Sequence, residues 1–252
     1  MAIIDVRGLS YRYGRHEVLR DLDFWLPEGA FYALLGRNGV GKSTLLQILM
    51  GLRRAPRGEV RVLDTPVRAL TIAQRATIGY VAEGQRLPGW MRLEQLEAYC
   101  APLYPTWDRA LADQLRDRFA LDPKRKLRTM SRGDYMKAAL LVSLAPRPRL
   151  LLMDEPFTGI DVVVKDELVR GLLGVAGEDG QTVVIASHDV GELELLCDWV
   201  GIMVNGAMAV SEPLEDLKAR YADDLDAAGE PTLRELFARI ASHERTPFAE
   251  VA

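Results

Sequence analysis

The chain has 252 residues, enough to bury a large core as one elaborated domain or two intimate subdomains. With a formal net charge of -4 and 27% charged residues, it has no excess of positive charge with which to capture nucleic acid. Its apolar runs fall short of a membrane span and Met1 to Arg7 lacks the regions of a signal peptide, so a cytosolic chain is expected.

Residues 2–26 alternate apolar runs with polar breaks, at Ile3 to Val6, Leu9 to Gly14 and Val18 to Phe24, which predicts strands of an antiparallel layer. Tyr13 stands beside a glycine, where its ring could stack on a flat base or be an ordinary strand aromatic. Pro27-Glu28-Gly29 turns the chain into Phe31 to Leu35, which reads as a buried strand. Next come Gly36, Arg37, Asn38, Gly39, Val40, Gly41, Lys42, Ser43 and Thr44, two glycines with four residues between them followed by Lys and Ser. Such a loop makes a phosphate cradle. Its glycines let backbone N–H groups converge on phosphate oxygens, Lys42 adds charge toward the β- and γ-phosphates, and Ser43 is placed to ligate Mg²⁺. A helix over Leu45 to Leu52 would turn its N-terminus to the same phosphates.

Glu59 to Leu63 reads as one more strand of the antiparallel layer, and Ile78 to Val81 as a strand leading into the breaker-rich loop Ala82 to Trp90. Helical spacing follows over Met91 to Leu103 and Asp108 to Leu121, with Asp108 an N-cap. Ser131 is a good N-cap for a helix reaching Leu144, with Asp134 in its first turn. Leu150 to Met153 is a continuous apolar run, expected in a parallel strand covered on both faces, and it ends in Asp154-Glu155. Two carboxylates there are costly without partners, and in open α/β sheets that end binds ligands.

Phe157 to Asp161 leads into a helix of about a dozen residues near Val163, an expected length by periodicity. Gln181 to Ser187 makes another buried strand, with His188 at its end. Asn205-Gly206 between Val200 to Val204 and Ala207 to Val210 marks a hairpin. The tail is acidic at Asp223 to Asp226, then carries the capping box Thr232 to Glu235, opening a short helix packed on the core or on a partner. Cys100 and Cys197 show no metal or redox spacing and are expected to be reduced, mostly buried thiols.

The ordered set resembles the ATP-binding subunit of an ABC transporter over residues 3 to about 210. It comprises Gly36 to Thr44, the loop near Glu83, the signature-like Met130 to Asp134, Leu150 to Glu155, Thr158 to Asp161 and His188. The resemblance implies an α/β fold: a phosphate-loop core of mostly parallel sheet flanked by helices, with an antiparallel β subdomain and an inserted helical subdomain. Residues 1–211 would form one ATPase domain with the helical part at about 84–145, and 212–252 a helical extension. ATP and Mg²⁺ are implied as cofactors, the phosphates held by Lys42 and the loop backbone, the metal by Ser43, Asp154 and Glu83. Glu155 would orient the attacking water, His188 would contact the γ-phosphate side, and Tyr13 would stack on adenine.

The resemblance also implies a second ATPase subunit, taken as another copy, whose nucleotide would meet Ser131, Arg132, Gly133 and Asp134, with Asp161 at the interface. A separate membrane permease would dock on the helical subdomain, with Trp90 and Trp107 as groove candidates, placing the chain on the cytoplasmic face of the membrane. The sequence departs from the family pattern in two places. Glu83 stands where glutamine is usual, with Gln85 two residues on, and Arg132 and Asp134 replace a glycine and a glutamine of the signature. The wording of residues 79–91 and 103–108 resembles a subgroup of exporter type. The alternative reading is a soluble ATP-gated clamp or regulatory ATPase that never meets a membrane.

Overall fold

The computed structural model describes residues 2–222 and 230–243; the acidic run Asp223 to Asp226 lies outside them. Strands β1 (Ala2–Tyr13) and β2 (His16–Pro27) form a long hairpin closed beside Gly14, so the three expected strand runs merge into two. Gly29, with φ of 86°, turns the chain into β3 (Phe31–Gly36). Helix α1 (Lys42–Leu49) begins three residues earlier than its apolar pattern suggested, because Gly41 and not a side chain forms its N-cap. Strands β4 (Arg57–Val62) and β5 (Thr65–Pro66) complete a four-stranded antiparallel sheet in the order β2-β1-β4-β5.

A four-residue helix α2 (Ile72–Arg75), started by a Thr71–Gln74 capping box, precedes β6 (Ile78–Val81). The helices α3 (Leu93–Cys100), α4 (Arg109–Arg118) and α5 (Arg132–Leu144) then intervene before β7 (Leu150–Asp154). Asp108 caps α4 by accepting from Leu111 N at 3.0 Å. The 18-residue α6 (Val162–Asp179) leads to β8 (Thr182–Ser187), β9 (Trp199–Val204) and β10 (Ala207–Pro213). Asn205 and Gly206 take positive φ of 51° and 85°, which the two-residue turn between β9 and β10 requires. Last come α7 (Leu214–Tyr221) and α8 (Leu233–His243).

The second sheet has six strands in the order β10-β9-β3-β8-β7-β6, all parallel except the β10 edge. Strand periodicity divides its side chains between two cores. Tyr32, Leu34, Leu150, Leu152, Val184 and Ala186 face α1 and the antiparallel sheet. Ala33, Leu35, Leu151, Met153, Val183 and Ile185 face α5, α6 and the two C-terminal helices. Burying both faces explains the unbroken apolar runs in β7 and β8, and each such side chain contributes about 1.5–3 kcal/mol relative to exposure. Among the described residues no helix is long and apolar enough to cross a membrane. Both cysteines are free and partly buried, and burial pushes the Cys197 thiol up to about 12.

Candidate functional site

The parallel register brings the chemistry to one level. Leu35 lies beside Ser187, Asp154 beside Ala186, and Val81 beside Met153, so the carboxyl ends of β3, β8, β7 and β6 open onto the same edge of the sheet. A cavity of about 660 Å³ lies there. It is lined by Tyr13 and His16 from the hairpin, Asn38 to Thr44 except Val40, Glu83, Glu155, Thr158 and His188. Arg37 is exposed away from it.

The loop before α1 has its shape for steric reasons. Gly41 sits at φ of 116°, and a Cβ there would meet Leu19 Cδ2 at 2.6 Å and Val18 O at 3.1 Å. No other side chain can take this conformation in that space. Since the N-cap carries no side chain, no side chain of the protein caps the first N–H groups of α1, and they are available to an anion. Lys42, almost fully buried, donates to Gly36 O at 2.7 Å and stands 3.3 Å from Glu155 Oε1. Ser43 Oγ donates to Asp154 Oδ1 at 3.0 Å.

Glu155 is held on several sides. Its backbone is in the left-handed region at φ of 47°, fixed by donation from its N–H to Ala186 O at 2.9 Å. Such strain in a non-glycine residue persists only where the surroundings over-determine it. Oε2 accepts from Thr158 Oγ1 at 3.2 Å and Ser187 Oγ at 3.4 Å, and His188 Nδ1 lies 2.9 Å away. Oε1 is buried without an aligned hydrogen bond, leaving one acceptor facing Lys42. Burial first, then the charges of Glu83 and Glu155, hold the Asp154 carboxyl above the usual carboxylate range, although Ser43 and Lys42 act against this. Three carboxylates therefore crowd this edge, and among the described residues Lys42 is the lysine or arginine that contacts one of them, Glu155. Gln85 is turned away: its Oε1 accepts from Ala82 N at 3.1 Å and its carbonyl accepts from Tyr135 Oη at 3.1 Å. Glu83, not Gln85, faces the cavity.

The signature-like residues lie elsewhere. Ser131 caps α5 by accepting from Asp134 N at 3.1 Å, and Asp134 pairs with Arg125 at 2.9 Å. Gly133 packs so closely on α6 that a Cβ would meet Val164 at 2.6 Å. The Arg132 guanidinium lies over Gly159. Asp161 caps α6 through Val163 N at 2.9 Å, and beside it Val162 and Val163 are 78% and 68% exposed. None of these residues lines the cavity.

Residues 19–158, more than half of the chain, match the family model described as ABC transporter. The chain belongs to the ABC transporter family. Among its relatives, the aliphatic sulfonates import ATP-binding protein SsuB 1 of Xanthomonas axonopodis pv. citri is 34% identical, over 92% of this chain and 93% of its own. The ABC transporter ATP-binding protein YtrB of Bacillus subtilis is 27% identical over 87% of this chain and 75% of its own. A solved ATP-binding subunit of an ABC transporter, 25% identical, superposes with a TM-score of 0.83 over 94% of this chain and 99% of its own. A bacterial Atm1-family ABC exporter, 21% identical and with a TM-score of 0.77, shares the fold over 95% of this chain and 42% of the exporter.

As an ATP-binding subunit of the ABC transporter family, the chain binds ATP and is an ATPase coupled to transport. Sequence reasoning did not single out His16 or Ser187 for the site. The Tyr13↔His16 pairing across the hairpin brings His16 to the cavity, and the only sequence signal was the turn at Gly14. Ser187 was read as the last residue of a strand, which does not disclose that its hydroxyl reaches Glu155.

Proposed function

We propose that the cavity holds the triphosphate of ATP, with Lys42 and the Gly39 to Thr44 backbone on the phosphates, and that Glu155 orients the attacking water. The Glu155 environment carries this reading. A strained carboxylate fixed by Thr158, Ser187 and His188, with Oε1 beside Lys42, is preorganised to align a nucleophile where phosphoryl transfer depends on positioning. His188, on the open side of Glu155, is placed to reach the γ-phosphate. Tyr13 is placed to stack on adenine.

The donor set fits Mg²⁺. Asp154 and the Ser43 hydroxyl are 3.0 Å apart, with Glu83 nearby, and the crowded carboxylates favour a divalent cation. Among the described residues no group of three or more His, Cys, Asp or Glu side chains could hold a metal ion, so a cation here would have to take its remaining ligands from phosphate and water. Mg²⁺ bound there would neutralise charge on the β- and γ-phosphates. Glu83 would take the place usually filled by glutamine.

In this reading the cavity is half of a site. Ser131, Arg132, Gly133 and Asp134 at the tip of α5 would face the nucleotide of a second copy, with Asp161 and the exposed Val162 and Val163 at the interface. Residues 1–211 would act as one ATPase domain with the helical insertion at about 84–145, followed by the extension 212–252. A membrane permease would dock on the insertion, where Trp90, Tyr99 and Leu103 are 69%, 58% and 59% exposed. Trp107 instead packs against the core, which leaves Trp90 as the groove candidate. Such docking would hold the chain at the cytoplasmic face of the membrane. The relatives' names give export no support; the sulfonate proteins are named for import, and we assign import on that ground.

Affinity purification from native-host membranes tests the proposal. A multi-span membrane protein should co-purify and change the ATPase rate, while Glu155→Gln should retain ATP and the partner and lose turnover by about 10²-fold or more. Recovery without a membrane protein would replace the transporter by a soluble clamp, and near-normal turnover of Glu155→Gln would remove Glu155 from its role.

A further inference from the structure

Tyr13 is fixed from more directions than a strand aromatic needs. Its hydroxyl lies 3.3 Å from Thr44 Oγ1 in the phosphate loop. Its ring meets Tyr11 edge to face, with centroids 5.1 Å apart and planes at 76°. The Arg53 guanidinium lies 4.9 Å from the ring centroid. Arg53 is in turn anchored. Its Nε donates to Gln47 Oε1, its Nη1 donates to Tyr11 Oη at 3.4 Å, and its backbone N–H donates to Gln47 O at 3.2 Å. Gln47 belongs to α1, so the tether runs from the helix that carries the phosphate loop to the ring.

The placement of Arg53 gives it a direction. Tyr13 lines the 660 Å³ cavity and Arg53 does not. Arg53 borders a separate hollow of about 180 Å³ with Ile48, Arg54 and Val60. The cation thus reaches Tyr13 from outside the nucleotide cavity, and Tyr13, 42% exposed as a residue, keeps surface toward the cavity.

We infer that Arg53 is a positioning residue for the nucleotide base, holding the Tyr13 ring from outside the cavity so that its cavity side is presented to adenine. This rests on the stacking role proposed for Tyr13. A ring already held by a cation, a perpendicular neighbour and a hydrogen bond loses little freedom when a base stacks on it, so more of the stacking energy reaches affinity. The fork geometry matters, because one planar guanidinium contacts Gln47, Tyr11 and the ring together, which an ammonium cannot do.

Titration of the full-length protein with ATP and with inorganic tripolyphosphate separates base from phosphate recognition. Arg53→Ala should weaken ATP binding about threefold to fivefold, raise KM more than it lowers kcat, and leave tripolyphosphate affinity unchanged. Arg53→Lys should recover part of the loss. The double variant with Tyr13→Ala should bind ATP as Tyr13→Ala does alone. If Tyr13→Ala weakens ATP and Arg53→Ala does not, Arg53 has no such role and Tyr13 keeps its own. If Arg53→Ala weakens both ligands equally, it supports the phosphate loop and the inference is overturned. If Tyr13→Ala leaves ATP affinity unchanged, the stacking role itself fails and the inference falls with it.

Discussion

The Asp154 carboxyl is held above the usual range by burial and by the Glu83 and Glu155 charges, so the folded chain binds a proton there more tightly than the unfolded chain. Ionising Asp154 therefore subtracts from stability. The subtraction is absent below the unfolded carboxylate pKa, grows as pH rises through the folded one, and is full above it. Asp154→Asn should raise the Tm of the nucleotide-free protein at neutral pH, and the gain should shrink toward acid pH; thermal melts across that range check it. A gain independent of pH would mean that the charge is not its cause. At this scale the residues of the phosphate loop were legible because their chemistry is local: Gly41 needs its positive φ, and Lys42 and Ser43 are fixed by it. The contacts around Glu155 were only partly so. Thr158 is a local neighbour three residues on and His188 was expected on the γ-phosphate side, but Ser187 and His188 reach the Glu155 carboxylate because β7 and β8 lie in register, which no residue spacing encodes.

The C-terminal helix shows what element-scale reasoning can and cannot resolve. The capping box at Thr232 is present, with Glu235 Oε2 accepting from Thr232 N at 2.9 Å. Sequence left open whether the helix packs on the core or on a partner. In the structure Leu233 and Leu236 are fully buried in the same core as β7, β8 and α6. The helix belongs to its own chain's core. Leu236→Ala should destabilise the protein by about 2–5 kcal/mol in chemical denaturation, and a change within a few tenths would contradict this packing. Strands buried on both faces were read nearly to the residue, since a short apolar run between breakers has few alternatives. Helix α6 was expected to run about a dozen residues and has 18; within it Gly171 and Gly174 leave room for Phe119 and Arg118. Helix α7 lies within the helical extension expected over 212–252 but was not delimited, for its buried side is only Leu214 and Leu217 in a charged segment.

At the scale of the whole molecule, Glu155, Lys42 and Ser43 meet in one cavity, while Ser131 to Asp134 and Asp161, at the starts of α5 and α6, do not line it. Sequence order gave both sets, and in the proposed composite site a second copy would bring them together. The direct measurement is the solution mass of the Glu155→Gln protein by light scattering, with and without ATP and Mg²⁺. One chain is expected without nucleotide and two with it, and Ser131→Arg in that background should bind ATP yet stay at one chain. A Glu155→Gln protein that remains a single chain at saturating ATP would contradict the composite site.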